Sequence, residues 1–194
     1  MSGEAGSGVL VITGPSGVGK GTLIGQLLRH FGDLRLSVSA TTRPPRSGER
    51  DGREYHFLAP NEFERRVQAG EFLEHAEYAG NRYGTLRSEV EPERRPVVLE
   101  IEVQGARQVR EALPEAVQVF IAPPSVEALR ERLLARGTDS PDGIRARLVQ
   151  AEEELGAQGE FQHVVVNDDL ARAARELIDL VATIWPRPNG EGTS

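Results

Sequence analysis

A glycine-rich segment near the start of the chain restricts its possible folds more than any other feature. The segment GPSGVGKGT, residues 14–22, directly follows the β-branched run VLVIT at 9–13 and leads into the helical pattern GTLIGQLLRHF at 21–31. A strand, a glycine loop and a helix in this order let backbone N–H groups turn around an anion at the positive end of a helix dipole. The segment therefore predicts a parallel α/β fold whose first strand ends in an anion-binding loop.

The only lysine of the chain lies in this loop. Of the 23 Lys and Arg residues, Lys20 alone is lysine, and it follows Gly14, four residues and Gly19. At this spacing a compact ammonium reaches the β- and γ-phosphates of a nucleotide, which the wider guanidinium fork of arginine does less well. The alternative is a glycine-rich turn without a ligand. We predict that the loop that binds the nucleotide phosphates consists of Gly14, Pro15, Ser16, Gly17, Val18, Gly19, Lys20, Gly21 and Thr22.

One position of the loop departs from the usual pattern. Gly21 stands where a Ser or Thr hydroxyl commonly contacts Mg²⁺, and Thr22 follows it. Because Mg²⁺ often keeps its waters and binds through substrate phosphates, we expect it to be held mainly by phosphates and water. Thr22 is the candidate protein ligand.

The rest of the chain predicts an open parallel sheet between helices. β-Branched runs that look buried on both faces alternate with helical patterns, as expected for parallel strands joined by helical crossovers. The predicted strands are 9–13, 96–103, 116–122 and 163–167, and the predicted helices are 21–31, 104–113, 125–137 and 169–185.

Two irregular stretches interrupt this alternation. Residues 37–91 are rich in Arg, Glu, Gly and Tyr and predict short strands around a helix near 60–69, which we interpret as an α+β insertion. Residues 132–155 predict a short mobile lid. The predicted core is 8–36, 92–131 and 156–185 within one domain of 8–185, and the tails 1–7 and 186–194 are expected to be flexible.

Composition narrows the possible functions. The formal charge of −7 and the isoelectric point near 5.2 argue against nucleic-acid or membrane-surface binding, and the absence of cysteine excludes disulfides and thiolate metal sites. No apolar run reaches the roughly 20 residues of a membrane span, and the first residues lack signal-peptide features. We therefore expect a cytoplasmic protein. The sequence leaves the choice between monomer and homo-oligomer open.

Six segments in a fixed order resemble the guanylate kinase family over residues 8–185. They are GPSGVGKGT, SVSATTRPPRSGERDGREYHF, EFLEHAEYAGNRYGT, VVLEIEVQGA, IAPPSVEALRERLLARGT and VVVNDDL. The resemblance implies a nucleoside monophosphate kinase with a P-loop NTPase-type core, a GMP-binding insertion at 37–91 and a lid. It also implies ATP and GMP as substrates and Mg²⁺ as cofactor.

Four residues match the positions that hold the GMP phosphate. Arg43 and Arg46 flank two prolines, which stiffen the backbone and present two guanidinium groups to a dianionic phosphate. Tyr55 and Tyr83 add hydroxyl donors by resemblance. Taken alone, such an arginine-rich loop could equally be a solvated surface or an RNA contact.

The family resemblance implies that a carboxylate recognises the guanine base. Guanine presents N1–H and N2–H₂ side by side, a donor pair that a carboxylate accepts, whereas adenine has no N1–H. Glu74 matches the guanine-reading acid, and Ser39 and Thr85 match positions that complete the contact. An exposed strand carboxylate is the alternative for Glu74.

Two further acids follow the second long strand. Glu100 and Glu102 are spaced by two, which predicts that they share one face and point to the crevice beside the loop. The family more often has Asp at the second position, so the contact made by Glu102 is open. A structural salt bridge is the alternative for either acid.

The resemblance also assigns arginines to the lid. Arg132, Arg136 and Arg147 match positions that close over the transferred phosphoryl group, with a solvated helix face as the alternative. Together with Lys20 and Arg43 they are the predicted catalytic residues. Asn167, in VNDD, is the candidate for contact with adenine.

Three other functions are compared with this one. A kinase for a different monophosphate is disfavoured by Glu74, and a phosphopeptide-binding scaffold module by the intact loop. A GTPase switch would need an Asn-Lys-x-Asp segment, which a chain whose only lysine is Lys20 cannot contain.

Overall fold

The computed structural model describes residues 8–78, 80–90, 96–136 and 141–185. The predicted flexible tails and the predicted helix end at Gly137 lie outside these residues. The strands are β1 (Val9–Thr13), β2 (Arg35–Leu36), β3 (Ala40–Thr41), β4 (His56–Phe57), β5 (Phe72–Tyr78), β6 (Asn81–Leu86), β7 (Val97–Glu100), β8 (Val117–Ala122) and β9 (His163–Val166). The α-helices are α1 (Lys20–His30), α2 (Pro60–Gln68), α3 (Val103–Ala112), α4 (Val126–Arg136), α5 (Pro141–Gly156) and α6 (Leu170–Ile184).

The central sheet is parallel and places β1 in its middle. The strand order is β2-β7-β1-β8-β9, and each neighbouring pair runs parallel. The four long strands predicted from the sequence are all present, whereas the edge strand β2 was missed because a strand of two residues shows no periodicity. This order confirms the predicted α/β class.

Both faces of the central sheet are covered by helices, as the uninterrupted apolar runs indicated. Leu10 and Ile12 of β1 are fully buried on one face, in a cluster that includes residues of α1, α4 and α6. Val9 and Val11 point to the opposite face, where they pack with residues of α3. The loop that follows β1 is therefore anchored by a strand with no exposed face.

A second, smaller sheet lies between β2 and β7 in the chain. Its order is β4-β3-β6-β5, with β3 parallel to β4 and β6 antiparallel to both β3 and β5. Helix α2 covers it through Phe63, whose ring stacks on Phe72 with 4.4 Å between centroids. This helix matches the one predicted near 60–69.

Within the described ranges, no helix is both long and apolar enough to cross a membrane.

Helix α6 begins at Leu170, one residue after the start of the helix predicted at 169–185. Asp168 is a plausible cap by sequence, but Asp169 is the N-cap, because its carboxylate accepts a hydrogen bond of 2.8 Å from the N–H of Arg172. Asp168 instead pairs with the Arg172 side chain at 2.6 Å.

We expect Asp169→Ala to lower the free energy of unfolding by about 1 kcal/mol, the usual cost of losing an N-cap. Asp168→Ala is the matched control and should lose less, because an exposed ion pair contributes little. Urea titration of both variants measures the difference. Equal losses would contradict the assignment of the cap.

Candidate active site

A cavity of about 530 Å³ opens between the carboxyl ends of the central strands and the second sheet. Residues of the glycine loop form one wall, strands β5 and β6 form another, and the segment after β7 lies between them. In parallel α/β sheets this edge is where ligands bind, and the volume suits a small molecule of nucleotide size.

The glycine loop needs glycine for two separate reasons. Gly17 and Gly19 have φ of 87° and 99°, which side chains with a Cβ rarely adopt. Gly14 also approaches its neighbour closely, since a Cβ there would lie 2.2 Å from the carbonyl oxygen of Ile121 in β8. The loop is therefore packed against the sheet in one conformation.

Lys20 is the first residue of α1 and is only 8% exposed. Its Nζ donates to the carbonyl oxygens of Gly14 at 2.5 Å and Pro15 at 3.2 Å. These hydrogen bonds hold the ammonium against the backbone of the loop. Lys20 also lines the cavity. The lysine predicted from the sequence thus lies where the loop and the cavity meet.

Arg132 and Asn167 meet at the carbonyl oxygen of Val18 in the glycine loop. Arg132, on α4, donates to the carbonyl oxygens of Asn167 at 2.8 Å and Val18 at 3.3 Å. The Asn167 amide also donates to Val18 O at 2.8 Å, and a Cβ at Gly19 would lie 2.6 Å from its nitrogen. Both predicted residues therefore contact the loop, and Asn167 braces it.

Helix α5 contacts the loop from another side. Arg147 donates to the Ser16 hydroxyl at 3.3 Å. The Tyr78 hydroxyl of β5 also lies within hydrogen-bonding reach of Ser16. Burial raises the pKa of Tyr78, and the hydrogen bond with Ser16 lowers it. The side chain of Arg136, the third predicted lid arginine, lies outside the described residues.

Glu74 is buried rather than exposed, with 3% of its surface accessible. It pairs with Thr85 across β5 and β6, and its Oε1 accepts a hydrogen bond of 2.7 Å from the Thr85 hydroxyl. Burial raises the pKa of Glu74 to about 7, while hydrogen bonds from Thr85 lower it and the nearby charge of Glu102 raises it further. The carboxylate of Glu74, held by Thr85, is therefore an acceptor in the cavity wall, which Ser39 also lines.

Gly105 leaves room for this carboxylate. It lies in the first turn of α3, and a Cβ there would come within 2.3 Å of Glu74 Oε2. Sequence reasoning did not identify Gly105 as part of the site. The available signal was a glycine inside a predicted helix. Because such a glycine lowers helix stability, its presence indicates that another group packs closely against the helix there.

The predicted phosphate-binding group is partly assembled. Tyr55 and Tyr83 line the cavity with 6.0 Å between ring centroids, and Arg43 lies 5.4 Å from the Tyr55 ring centroid. The Arg43 guanidinium donates to both carboxylate oxygens of Glu49 at 2.9 and 3.0 Å. Arg46 is exposed, and its backbone N–H donates to Glu49. Glu49, which the sequence analysis did not single out, therefore organises the arginine loop.

Glu100 and Glu102 both line the cavity, although they are in different elements. The predicted strand 96–103 ends at Glu100, and Glu102 is the N-cap of α3. Burial raises the pKa of Glu100, the positive charge of Lys20 lowers it, and the negative charge of Glu102 raises it. Both acids therefore share the cavity with Lys20 and Glu74, and Glu100 is the one that Lys20 influences.

No group of three or more His, Cys, Asp or Glu residues in the described ranges could hold a metal ion. The Thr22 side chain lies on the first turn of α1 and lines the cavity beside Lys20. A hydroxyl oxygen fits Mg²⁺, which prefers oxygen ligands and accepts few of them from protein.

The two walls of the cavity suit different chemical groups. The loop, Lys20 and Arg147 bring positive potential to one end, which suits a polyphosphate. The Glu74 carboxylate presents acceptor oxygens at the other, which suits a ligand with adjacent N–H donors. The arrangement can hold two ligands facing each other and neutralise charge between them.

Comparison with known proteins gives consistent matches. The family model described as guanylate kinase matches residues 7–183. The guanylate kinase of Parasynechococcus marenigrum (strain WH8102) is 56% identical over 174 residues, covering 88% of this chain and 96% of the relative. That of Frankia casuarinae is 51% identical over 177 residues, covering 90% and 96%. The crystal structure of guanylate kinase from Anaplasma phagocytophilum superposes with a TM-score of 0.72 at 32% identity, covering 93% of this chain and 87% of that one.

Proposed function

The chain belongs to the guanylate kinase family, and from this membership we propose that it transfers the γ-phosphoryl group of ATP to GMP, giving ADP and GDP. The observation that carries the proposal is that one cavity is lined both by the glycine loop with Lys20 and by Glu74. A polyphosphate donor and a guanine acceptor would face each other across it.

The donor half consists of loop backbone and cations. We propose that residues 14–22 bind the ATP phosphates and that Lys20, Arg132, Arg136 and Arg147 neutralise charge during transfer. Support comes from the hydrogen bonds of Arg132 and Arg147 to the loop. Because phosphoryl transfer is dominated by charge repulsion and positioning, these fixed cations are the main catalytic contribution. Asn167, whose amide donates to Val18 O, is proposed to contact adenine.

Guanine recognition is assigned to Glu74. Its ionised carboxylate would accept the N1–H and N2–H₂ donors, while Thr85 holds Oε1 in place. Ser39, which lines the same cavity, is proposed to complete the contact with the base. Adenine would leave this buried charge unpaired, at a cost of several kcal/mol in order of magnitude. Glu100 and Glu102 complete the acid wall of the GMP site.

The GMP phosphate is assigned to Arg43, Arg46, Tyr55 and Tyr83. Arg43 lies against the Tyr55 ring and is held by Glu49. We propose that the GMP phosphate replaces Glu49 as the acceptor of some of the hydrogen bonds that the Arg43 guanidinium donates. No strong general base is required, since a phosphate with a second pKa of about 6 is largely ionised at neutral pH.

Mg²⁺ is proposed as the cofactor, and the Thr22 hydroxyl would be its candidate protein ligand. When bound with ATP, the ion would supply further positive charge to the phosphates.

Two segments are proposed to move around the nucleotides. They are the GMP-binding insertion at 37–91, residues of which line the cavity, and the lid at 132–155, which contacts the glycine loop through Arg147. A cytoplasmic location fits a protein of net charge −7 that acts on free nucleotides.

A coupled assay of ADP formation, with GMP, AMP, CMP and UMP as separate acceptors, tests the function. We expect kcat/KM for GMP to exceed that for the others by about 10²-fold or more. Preference for AMP would contradict the assignment of Glu74. Binding of GMP without transfer would instead indicate a binding module.

The contact at Gly105 supports a more local prediction. We expect Gly105→Ala to weaken GMP binding by about tenfold or more, because the new Cβ displaces Glu74 Oε2. ATP binding should change little. Gly25→Ala, in the middle of α1, is the matched control: its Cβ would meet only Arg29, at 3.7 Å, so it should leave GMP binding intact. Calorimetric titration of each nucleotide measures this, and equal GMP affinities for the two variants would contradict the role of Gly105.

A further inference from the structure

Helix α5 carries a run of three acids, and only one of them is buried. Glu152 and Glu153 are exposed, whereas Glu154 is 8% exposed. Glu154 Oε1 accepts a hydrogen bond of 3.1 Å from the Gln150 amide, but Oε2 is buried with no hydrogen-bond partner. A buried carboxylate oxygen without a donor is costly, so its surroundings must compensate for it.

Glu102 faces Glu154 from the start of α3. It lines the nucleotide cavity on one side and, on the other, a second cavity of about 180 Å³ that Glu154 also lines. Its Oε2 is likewise buried without a hydrogen-bond donor. The two side chains lie within hydrogen-bonding reach of each other. Two carboxylates in contact cannot both be ionised at low cost, but a single proton between them satisfies both oxygens.

The groups around the pair favour that proton. Burial, followed by the charge of Glu102 and the hydrogen bond to it, raises the pKa of Glu154 to about 8, although Lys20 and Gln150 lower it. The other charged or titratable groups around the pair are Glu74, Glu77, Tyr78, Glu100, Arg107 and Glu153. A proton held by the Glu154 carboxyl would be donated to the Glu102 carboxylate, whose Oε2 is otherwise without a hydrogen-bond partner.

We infer that Glu154 is a positioning residue for GMP: by sharing a proton with Glu102, it holds the Glu102 carboxylate in the wall of the nucleotide cavity. This inference rests on the proposed function. The family more often has Asp at position 102, and the contact with Glu154 explains how the longer side chain of Glu102 is held in place. It also connects helix α5 of the proposed lid to the GMP site, because movement of α5 changes the partner of Glu102.

The test is the dissociation constant of GMP as a function of pH, measured by calorimetry without ATP on the whole chain. Glu154→Gln keeps a donor to Glu102 but cannot titrate, Glu154→Ala removes the donor, and Glu152→Ala is the exposed control on the same helix. Glu74 titrates in all four proteins, so each variant is read as a ratio to wild type at the same pH.

We expect Glu154→Gln to bind GMP like wild type near pH 7 and about tenfold more tightly than wild type near pH 9, where wild-type Glu154 is ionised and repels Glu102. Glu154→Ala should bind several-fold more weakly near pH 7. Glu152→Ala should follow wild type throughout. A Glu154→Gln profile parallel to wild type, or Glu154→Ala equal to Glu152→Ala, would overturn the inference while leaving the proposed function intact. Absence of GMP binding by wild type would overturn both.

Discussion

Replacement of Lys20 by alanine is expected to lower kcat for GMP phosphorylation by about 10³-fold. The ammonium lies at the junction of loop and cavity, where it can follow the phosphoryl group from donor to acceptor. Its charge acts in a partly buried site, where solvent screens it less than at the surface. Because the interaction strengthens as charge develops in transfer, the loss should appear in kcat more than in the KM for GMP.

Two controls separate this effect from misfolding. Arg29→Ala removes an exposed cation from the last turn of the same helix and should leave kcat unchanged. Lys20→Arg keeps the charge, yet the wider guanidinium should restore little activity. Steady-state kinetics, with circular dichroism to check the fold, measures all three. Activity of Lys20→Ala within about tenfold of wild type would mean that the loop lysine does not act in transfer.

Glu74→Gln is expected to change activity and stability in opposite directions. The glutamine can keep the hydrogen bond from Thr85, but its amide group offers a donor where guanine also presents donors. We therefore expect kcat/KM for GMP to fall by about 10²-fold to 10³-fold.

Stability should rise in the same variant. The pKa of Glu74 is about 7 in the folded chain, above its ordinary value of 4.5. Between these values the folded state binds more protons than the unfolded state, so the wild type loses stability as pH rises through this window. Glutamine carries no charge, and at about pH 8 the variant should be more stable by about 1 to 3 kcal/mol.

Denaturant unfolding at about pH 5 and about pH 8, together with the acceptor assay, tests both parts. The stability gain should be present at the higher pH and small at the lower one. Glu77→Gln, an exposed acid on the same strand, should change neither property. A variant that loses activity and stability together would indicate a structural role for Glu74 rather than a recognition role.

Much of the fold was predictable because each signal was local. The four long strands of the central sheet were recognised from continuous β-branched runs, and β1 is buried along its whole length. The helix start at Ser125 was also predictable, since its hydroxyl accepts a hydrogen bond from the N–H of Ala128. The glycine loop was identified by a spacing that follows from the geometry of phosphate binding.

The burial of Glu74 was not predictable from residue pattern alone. Regular alternation would place either Glu74 or its neighbours outside, yet Phe72, Leu73 and Glu74 are all buried. The register of β5 against β6 shifts between Phe72 and Glu74, and such an irregularity re-aims side chains. Only the pairing of two strands reveals it.

Contacts between distant segments were equally hidden. The local sequence indicates that Glu154 is one of several acids on a solvated helix. It indicates that Gly105 is a destabilising glycine inside a different helix. Their roles come from Glu102 and Glu74, which lie 52 and 31 residues earlier in the chain. Sequence periodicity reports only which face a residue lies on, not what faces it.

The sequence by itself determined the parallel α/β class, the anion-binding loop with its single lysine and, through ordered motifs, the family. The first two features depend on backbone preferences and on spacings between near neighbours in the chain, and the third depends on the order of six segments over residues 8–185. The tertiary structure decided which acids are buried, which arginines reach the loop and which glycine makes room for a carboxylate. Burial and its effect on charge arise only when separate elements pack together, and this packing places Glu74, Glu102 and Lys20 around one cavity.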